Sequence, residues 1–216
     1  MNQDYTHVTL VIDRSGSMFG VRRDVIEGLN SFVGEQRQQP GTCTITEVQF
    51  DNLYEVPHNF VSINDIPAWD ESRFVPRGFT ALLDAVNQAI ITTGETLEQM
   101  AEQDRPGNVL VVIYTDGHEN ASKEITEPAL RALIEQQQEQ YNWSFIFLGA
   151  NIDSFSVANN LGIDVDNVIN YVADSDGVTS SMKSVSAVTS SYRATGDASF
   201  AAAGVDNQET LSGSDA

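Results

Sequence analysis

The chain has 216 residues, enough for one domain to bury a sizeable core without disulfides or structural metal ions. Its 11 Lys and Arg stand against 31 Asp and Glu, which gives a formal net charge of -20 and a sequence pI near 4.2. Because such a field repels polyanions, we expect neither a nucleic acid nor an anionic membrane surface as a partner.

Apolar runs of strand length alternate with helical patterns along the chain. The runs at residues 7–12, 108–114 and 143–148 are continuous, which is typical of strands buried on both faces of a parallel sheet. Gly149 is expected to end the third run. The helical patterns have apolar residues three or four positions apart, at Val21, Val25, Leu29 and Phe32, at Leu82, Val86 and Ile90, and at Leu130, Leu133 and Ile134.

Two further strands, Thr42–Phe50 and 53–60, are separated only by Asp51-Asn52, and this tight connection predicts an antiparallel hairpin at a sheet edge. Residues 168–172 predict a short last strand. A final helix follows, with an apolar stripe of Val178, Met182, Val185 and Thr189. The sequence therefore predicts a doubly wound α/β fold, in which a mostly parallel central sheet has one antiparallel edge strand and helices on both faces.

We expect this domain to span residues 1–193. From Ala194 onward the composition is dominated by Ala, Gly, Ser, Thr and Asp, with no Lys or Arg. Because that composition offers little apolar surface to offset the entropy of ordering, residues 194–216 are predicted to be an acidic, disordered or loosely held tail.

The sequence also indicates a compartment. No apolar run approaches the roughly 20 residues of a membrane span, and the first residues lack the basic and apolar regions of a secretory signal. The one cysteine, Cys43, allows no internal disulfide and is expected to be a small core residue. A soluble, cytoplasmic protein is the resulting expectation.

Oxygen-bearing side chains follow the predicted strands at one edge of the sheet. The first strand ends in Asp13-Arg14-Ser15-Gly16-Ser17, and the strand at residues 108–114 runs into Thr115-Asp116-Gly117. Gly78-Phe79-Thr80 precedes the helix that contains Leu82. Serine and aspartate before a helix are often only caps, but in a doubly wound sheet ligands bind at the carboxyl ends of the strands.

Together these segments predict a site for a hard divalent cation. Five oxygen donors come from three loops, namely the hydroxyls of Ser15, Ser17 and Thr80 and the carboxylates of Asp13 and Asp116. Oxygen donors suit Mg²⁺, or alternatively Mn²⁺ or Ca²⁺, rather than zinc. Because two carboxylates at most balance the charge of the ion, an open coordination position should attract a carboxylate from outside the chain.

The Asp-x-Ser-x-Ser segment, the helix-start threonine and the Thr-Asp-Gly segment together resemble the von Willebrand factor A domain and its metal-ion-dependent adhesion site, over roughly residues 5–193. The resemblance implies that Ser15, Ser17 and Thr80 contact the metal, while Asp13 and Asp116 bind it directly or through water. It further implies that an Asp or Glu of a partner protein supplies the last ligand. Stand-alone bacterial and phage members of the family suggest an adaptor or recognition subunit of a larger assembly.

Neighbouring side chains could shape a surface for that partner. Arg77 is a candidate to pair with the incoming carboxylate, and His118 and Glu119 follow the aspartate loop, although solvated side chains are the simpler interpretation of all three. Asn151 and Asp153 follow a further strand, where helix capping is the expected role.

Two other functions remain open from the sequence. A structural or assembly protein would use the ion only to hold the three loops together. A metal-dependent hydrolase with a serine nucleophile would need a histidine base, and only His118 is close enough in sequence to the site. Since no phosphate-binding loop and no Asp-x-Asp signature occur, we expect no enzymatic activity.

Overall fold

The computed structural model describes residues 1–205, and six strands in this part of the chain form one sheet. In chain order they are β1 (Asn2–Asp13), β2 (Thr42–Phe50), β3 (Tyr54–Ser62), β4 (Pro106–Thr115), β5 (Ser144–Ala150) and β6 (Val168–Tyr171). Their order across the sheet is β3-β2-β1-β4-β5-β6. Only the β2–β3 pair is antiparallel among these strands, which confirms the predicted hairpin at an edge.

Five α-helices connect or follow the strands. They are α1 (Arg22–Gln36), α2 (Leu82–Gln99), α3 (Glu127–Tyr141), α4 (Ser154–Asn160) and α5 (Ser175–Thr195). A short 3-10 turn over Gly16–Val21 connects the end of β1 to α1. The predicted mostly parallel α/β architecture is confirmed.

The alternation of side chains along β1 places a core on each face of the sheet. Leu10 and Ile12 pack with residues of α1 and α5 in one cluster. Val11 packs with residues of α2, α3 and α4 in the other. Both clusters are almost fully buried, which is why the central strands read as continuous apolar runs.

Some strands begin or end at other residues than predicted, because polar or small residues also pair with the neighbouring strand. β1 begins at Asn2 rather than at residue 7, because its polar start aligns with Pro106 of β4. Gly149 does not end β5, since Gly149 and Ala150 are paired with β6. The second hairpin strand runs over Tyr54–Ser62, one residue later at its start and two later at its end than predicted.

The chain beyond the predicted domain end at residue 193 is more ordered than its composition indicated. Helix α5 continues to Thr195 and ends at Gly196, whose φ of +79° is the left-handed conformation of a helix C-cap. Phe200 is 1% exposed, and the Val205 N–H donates to the carbonyl of Phe200. Part of residues 194–205 therefore packs against the core, whereas the boundary at residue 193 stays a prediction and residues 206–216 lie outside the described part.

Two smaller expectations concern single features. Cys43 is 4% exposed and belongs to the core on the α1 face, as predicted. None of the helices within residues 1–205 is both long enough and apolar enough to cross a membrane.

Candidate metal centre

The three predicted loops meet at the carboxyl edge of the sheet. Asp13 is the last residue of β1, and Asp116 directly follows β4, the parallel neighbour of β1. Thr80 lies two residues before α2, which packs over the same strands. Parallel pairing of β1 with β4 thus places residues that are about a hundred positions apart at one site.

Four of the five candidate donors, Asp13, Ser15, Ser17 and Asp116, are connected by hydrogen bonds. Ser15 Oγ is 3.0 Å from Ser17 Oγ, and the Ser17 hydroxyl donates to Asp116 Oδ1 at 2.5 Å. Asp13 accepts from the Ser15 N–H at 2.6 Å and from the Thr115 hydroxyl at 2.6 Å, one bond to each carboxylate oxygen. All five donor side chains are buried apart from Ser17.

Gly117 shows how closely the hydroxyls converge. A Cβ atom on Gly117 would lie 3.2 Å from Thr80 Oγ1, 3.4 Å from Ser17 Oγ and 3.9 Å from Ser15 Oγ. The three hydroxyl oxygens therefore surround one small volume that a side chain at residue 117 would begin to fill.

The two carboxylates of the site lack a positive partner. Burial raises the pKa of Asp13 to about 6, although hydrogen bonds from Thr115 and Ser15 lower it in part. Burial also raises the pKa of Asp116. Within residues 1–205, neither carboxylate forms an ion pair with Lys, Arg or His. Two uncompensated buried carboxylates are costly, and a bound cation would remove that cost.

The donor set fits a hard cation. Mg²⁺ prefers oxygen ligands at about 2.1 Å in octahedral geometry, so neighbouring ligand oxygens lie about 3 Å apart, close to the 3.0 Å between the two serine hydroxyls. No group of three or more His, Cys, Asp and Glu residues could hold a metal anywhere in the described chain. The site is therefore defined by hydroxyls together with carboxylates, and a search for acidic or sulfur clusters alone would miss it.

Arg14, inside the first motif, connects that loop to the β2–β3 hairpin. Its guanidinium contacts Asp51 at 3.1 Å and Glu55 at 2.7 Å. Its carbonyl accepts from the Arg77 N–H at 2.7 Å, next to the threonine loop. The Gly16 N–H also donates to the carbonyl of Gly78, so side-chain and backbone contacts both fix the first loop relative to the loop that contains Thr80.

Glu119 and Asn120 connect the aspartate loop to the same threonine loop. The side-chain oxygen of Asn120 accepts a hydrogen bond from the Thr80 N–H at 2.9 Å. The backbone N–H of Asn120 donates to the Thr80 carbonyl at 3.0 Å. The Glu119 carboxylate accepts from the N–H of Leu83 in the first turn of α2 and from Ser122. The sequence singled out Glu119 but gave no signal for the role of Asn120.

The residues predicted to surround the partner differ in what they contact. The Arg77 guanidinium is already engaged, with Asp51 at 2.8 Å and Glu55 at 2.7 Å, so a free cation for an incoming carboxylate is not what the structure shows. Glu119 faces backbone N–H groups of its own chain. His118 is exposed, and its predicted role in partner binding stays a prediction.

Asn151 and Asp153 follow β5 at the same edge of the sheet. The Asp153 carboxylate accepts from the Ser156 N–H and caps α4, as the sequence indicated. Asn151 adopts a positive φ of +56° and donates from Nδ2 to the carbonyl of Asp116 at 3.2 Å. Asn151 therefore supports the aspartate loop, which the capping prediction did not include.

Comparison with known proteins identifies the fold through structure alone. No model of a protein family and no curated protein sequence matches the chain. A proximal thread matrix protein from the mussel byssus, with zinc in its metal-ion-dependent adhesion site, is 15% identical over 86% of this chain and 46% of its own, with a TM-score of 0.61.

Two further solved structures agree. A von Willebrand factor type A protein from Catenulispora acidiphila is 15% identical over 86% of this chain and 43% of its own, with a TM-score of 0.56. The manganese-loaded TRAP protein of Plasmodium vivax is 13% identical over 83% of this chain and 73% of its own, with a TM-score of 0.54. The chain thus spans less than half the length of the mussel and Catenulispora proteins, and at these identities the likeness concerns the fold.

Proposed function

We propose that this chain, which has the von Willebrand factor A fold, is a metal-dependent protein-binding module. A divalent cation is held by the side chains of Asp13, Ser15, Ser17, Thr80 and Asp116. An Asp or Glu side chain of a partner protein completes the coordination of the ion and thereby joins the two proteins.

One observation carries the proposal: three hydroxyl oxygens lie within 4 Å of a single point next to Gly117, beside two buried carboxylates that no cationic side chain of residues 1–205 neutralises. A bound divalent ion supplies positive charge and an open position for an anionic oxygen. The donors favour Mg²⁺, with Mn²⁺ and Ca²⁺ as alternatives. The zinc in the mussel protein makes Zn²⁺ a necessary comparison in any binding measurement.

A purely structural role for the ion is less well supported. The threonine loop is already fixed to the first loop by Arg14 and the Gly16–Gly78 backbone bond, and to the aspartate loop by Asn120. Because protein contacts hold all three loops, the ion is not needed to assemble them. An ion that is not needed for folding is available for recognition.

A hydrolytic role also lacks support from the geometry. His7 is bonded to Thr9 and Thr44 and His58 is bonded to Glu47, both away from the site. No histidine in residues 1–205 hydrogen-bonds to Ser15 or Ser17, so neither hydroxyl has a base in place to activate it. The proposed activity is binding.

The charge of the chain constrains the partner. At a formal charge of -20, long-range repulsion disfavours an acidic surface, so the partner is mostly neutral or basic and presents one local carboxylate. We place the protein in the cytoplasm of a bacterial or phage-infected cell, as an adaptor or recognition subunit. These parts of the proposal come from the sequence.

Affinity capture with paired baits tests the function. Wild type and Thr80→Ala are used to capture proteins from the native host lysate, each with Mg²⁺ and with EDTA, and Thr80→Ser serves as the control that restores a hydroxyl. A partner captured only by wild type and Thr80→Ser in Mg²⁺, and lost when its acidic residue is substituted, is the expected result. The same partners in all conditions would overturn the proposal.

A further inference from the structure

A groove of about 760 Å³ lies beside the proposed metal ligand Thr80. One wall is formed by Ala81, which directly precedes α2, and by Ala85 and Gln88 on the first two turns of that helix. The tip of the β2–β3 hairpin, Phe79 and residues 120–124 form the remaining walls. Since two helical turns measure about 10 Å, the groove is long enough for about three residues of extended chain.

The groove has an unusually exposed apolar lining. Phe79 is 67% exposed and Leu53, at the hairpin tip, is 55% exposed. Phe79 directly precedes Thr80, so its ring lies one residue away from a proposed ligand of the ion. Large apolar side chains grouped on a surface commonly mark a binding site, because covering them removes apolar area from water.

Two of the four charged residues that line the groove are already satisfied by the protein itself. Asp51 is paired with Arg14 and Arg77. The Asp84 carboxylate accepts from the backbone N–H groups of Lys123, Glu124 and Ile125 at 2.7 to 3.1 Å. What the groove offers a ligand is therefore its apolar wall and the exposed side chains of Lys123 and Glu124.

The charges also indicate which ligand fits. Apart from Asp51, whose charge Arg14 and Arg77 balance, two acidic residues, Asp84 and Glu124, line the groove against one lysine, Lys123. A segment with a second acidic residue here would be repelled, whereas a basic residue would be attracted. A second copy of this chain, at a formal charge of -20, is a poor ligand for the same reason.

We infer that the groove binds the part of the partner that adjoins the metal-bound acid. The partner presents an extended segment in which an apolar side chain lies between Leu53 and Phe79, within three residues of the Asp or Glu on the ion. A Lys or Arg beyond the apolar residue faces Glu124. This inference rests on the proposed function, and it adds the sequence class of the partner segment.

Displayed peptides test the inference. A library with one fixed Asp and three random residues on each side is selected on wild-type protein in Mg²⁺, with an Asn-for-Asp library and EDTA washes as controls. We expect enrichment of a large apolar residue within three positions on one side of the Asp, followed by Lys or Arg.

Variants then locate the binding of the selected peptides. Phe79→Ser and Leu53→Ser should each weaken it about tenfold, the effect of losing most of one apolar contact. Their Mg²⁺ affinity and thermal unfolding should match wild type, which shows that Thr80 is undisturbed. Tyr141→Ser is the matched control, because Tyr141 is also exposed, at 57%, but lies at the C-terminal end of α3, away from the groove.

The outcomes separate the inference from the function. Peptides that need Mg²⁺ and Thr80 but bind Phe79→Ser and Leu53→Ser as tightly as wild type would overturn the groove and leave the proposed function standing. Binding that persists in EDTA and in Thr80→Ala would overturn the proposed function. A library without enrichment, or a Mg²⁺-dependent dimer that Phe79→Ser abolishes, would overturn the groove as the site of a partner segment.

Discussion

Arg14 and Asp51 form a buried ion pair beside the proposed metal site, with 3.1 Å between Nε and Oδ2 and side-chain exposures of 5% and 1%. The pair joins the loop of residues 13–17 to the hairpin tip, and the Asp51 carbonyl accepts from the Ala81 N–H next to Thr80. A residue outside the five donors thereby helps to set where the Thr80 hydroxyl lies.

Neutralising Asp51 should therefore affect both folding and metal binding. Asp51→Asn leaves Arg14 without its buried partner, and we expect unfolding to become easier by about 3 kcal/mol and Mg²⁺ affinity to fall about tenfold. The control is Glu55→Gln, which removes the half-exposed carboxylate of the same network and should cost less than about 1 kcal/mol. Urea unfolding and calorimetric titration give the two values. Equal, small effects of the two variants would contradict a positioning role for Asp51.

A methyl group at residue 117 should block the ion without removing a donor. In Gly117→Ala the new carbon would lie between 3.2 and 3.9 Å from the three hydroxyl oxygens, so we expect Mg²⁺ affinity to drop at least about tenfold. Unfolding in EDTA should change by less than about 1 kcal/mol, as in Gly20→Ala, where the added carbon has no neighbour within 4 Å. Unchanged Mg²⁺ binding in Gly117→Ala would place the ion elsewhere.

Asp13→Asn should separate metal binding from stability. Burial holds the pKa of Asp13 at about 6, so at pH 7 the charged carboxylate costs the metal-free protein free energy that a neutral amide does not. In EDTA the variant should be about 1 to 2 kcal/mol more stable than wild type. In Mg²⁺ only wild type should gain stability, by about 2.7 kcal/mol at an ion concentration a hundred times the Kd. A variant less stable than wild type in EDTA would refute the strain assigned to this carboxylate.

The strands, and the position of the five proposed donors at one edge of the sheet, could be predicted because each depends on local sequence. Continuous apolar runs indicate buried strands, and three short motifs placed oxygen side chains at the strand ends. Arg14 gave no such signal, because its partners Asp51 and Glu55 are about 40 residues away and become neighbours only when β1 and β2 pair. Asn120 and Thr80 are joined in the same way across α2 and β4.

Phe200 illustrates a different limit of sequence reasoning. Average composition predicted a loose segment after Ala194, yet Ala198 and the ring of Phe200 are buried in the core on the α1 face. Composition measures the mean apolar surface of a segment, whereas ordering depends on whether one side chain finds a place in the core.

His7 should make stability depend on pH. Burial lowers its pKa to about 3, between Phe60, which stacks at 3.6 Å, and the hydroxyls of Thr9 and Thr44. Below pH 6.5 the His7 imidazole binds a proton in the unfolded chain but stays neutral in the folded chain. The free energy of unfolding therefore decreases as the pH falls, by about 2 kcal/mol between pH 7 and pH 5.

A difference measurement isolates this effect. The raised pKa of Asp13 acts in the opposite direction between pH 6 and pH 4, but it is present in both wild type and His7→Gln. Urea unfolding of both proteins in EDTA at pH 7, 6 and 5 gives the gap between them. Between pH 7 and pH 5 we expect the free energy of unfolding of wild type to fall by about 2 kcal/mol relative to that of His7→Gln. A difference between the two proteins that does not depend on pH would show that His7 is protonated in the folded protein.

A calorimetric titration measures whether the five proposed donors bind Mg²⁺. Wild type, Thr80→Ser and Thr80→Ala are titrated side by side, with Mn²⁺, Ca²⁺ and Zn²⁺ as comparison ions. We expect one bound ion per chain in wild type, retained affinity in Thr80→Ser, and at least a tenfold loss of affinity in Thr80→Ala with an unchanged fold. Equal Mg²⁺ binding by all three proteins, or no binding by wild type, would contradict the proposed metal site.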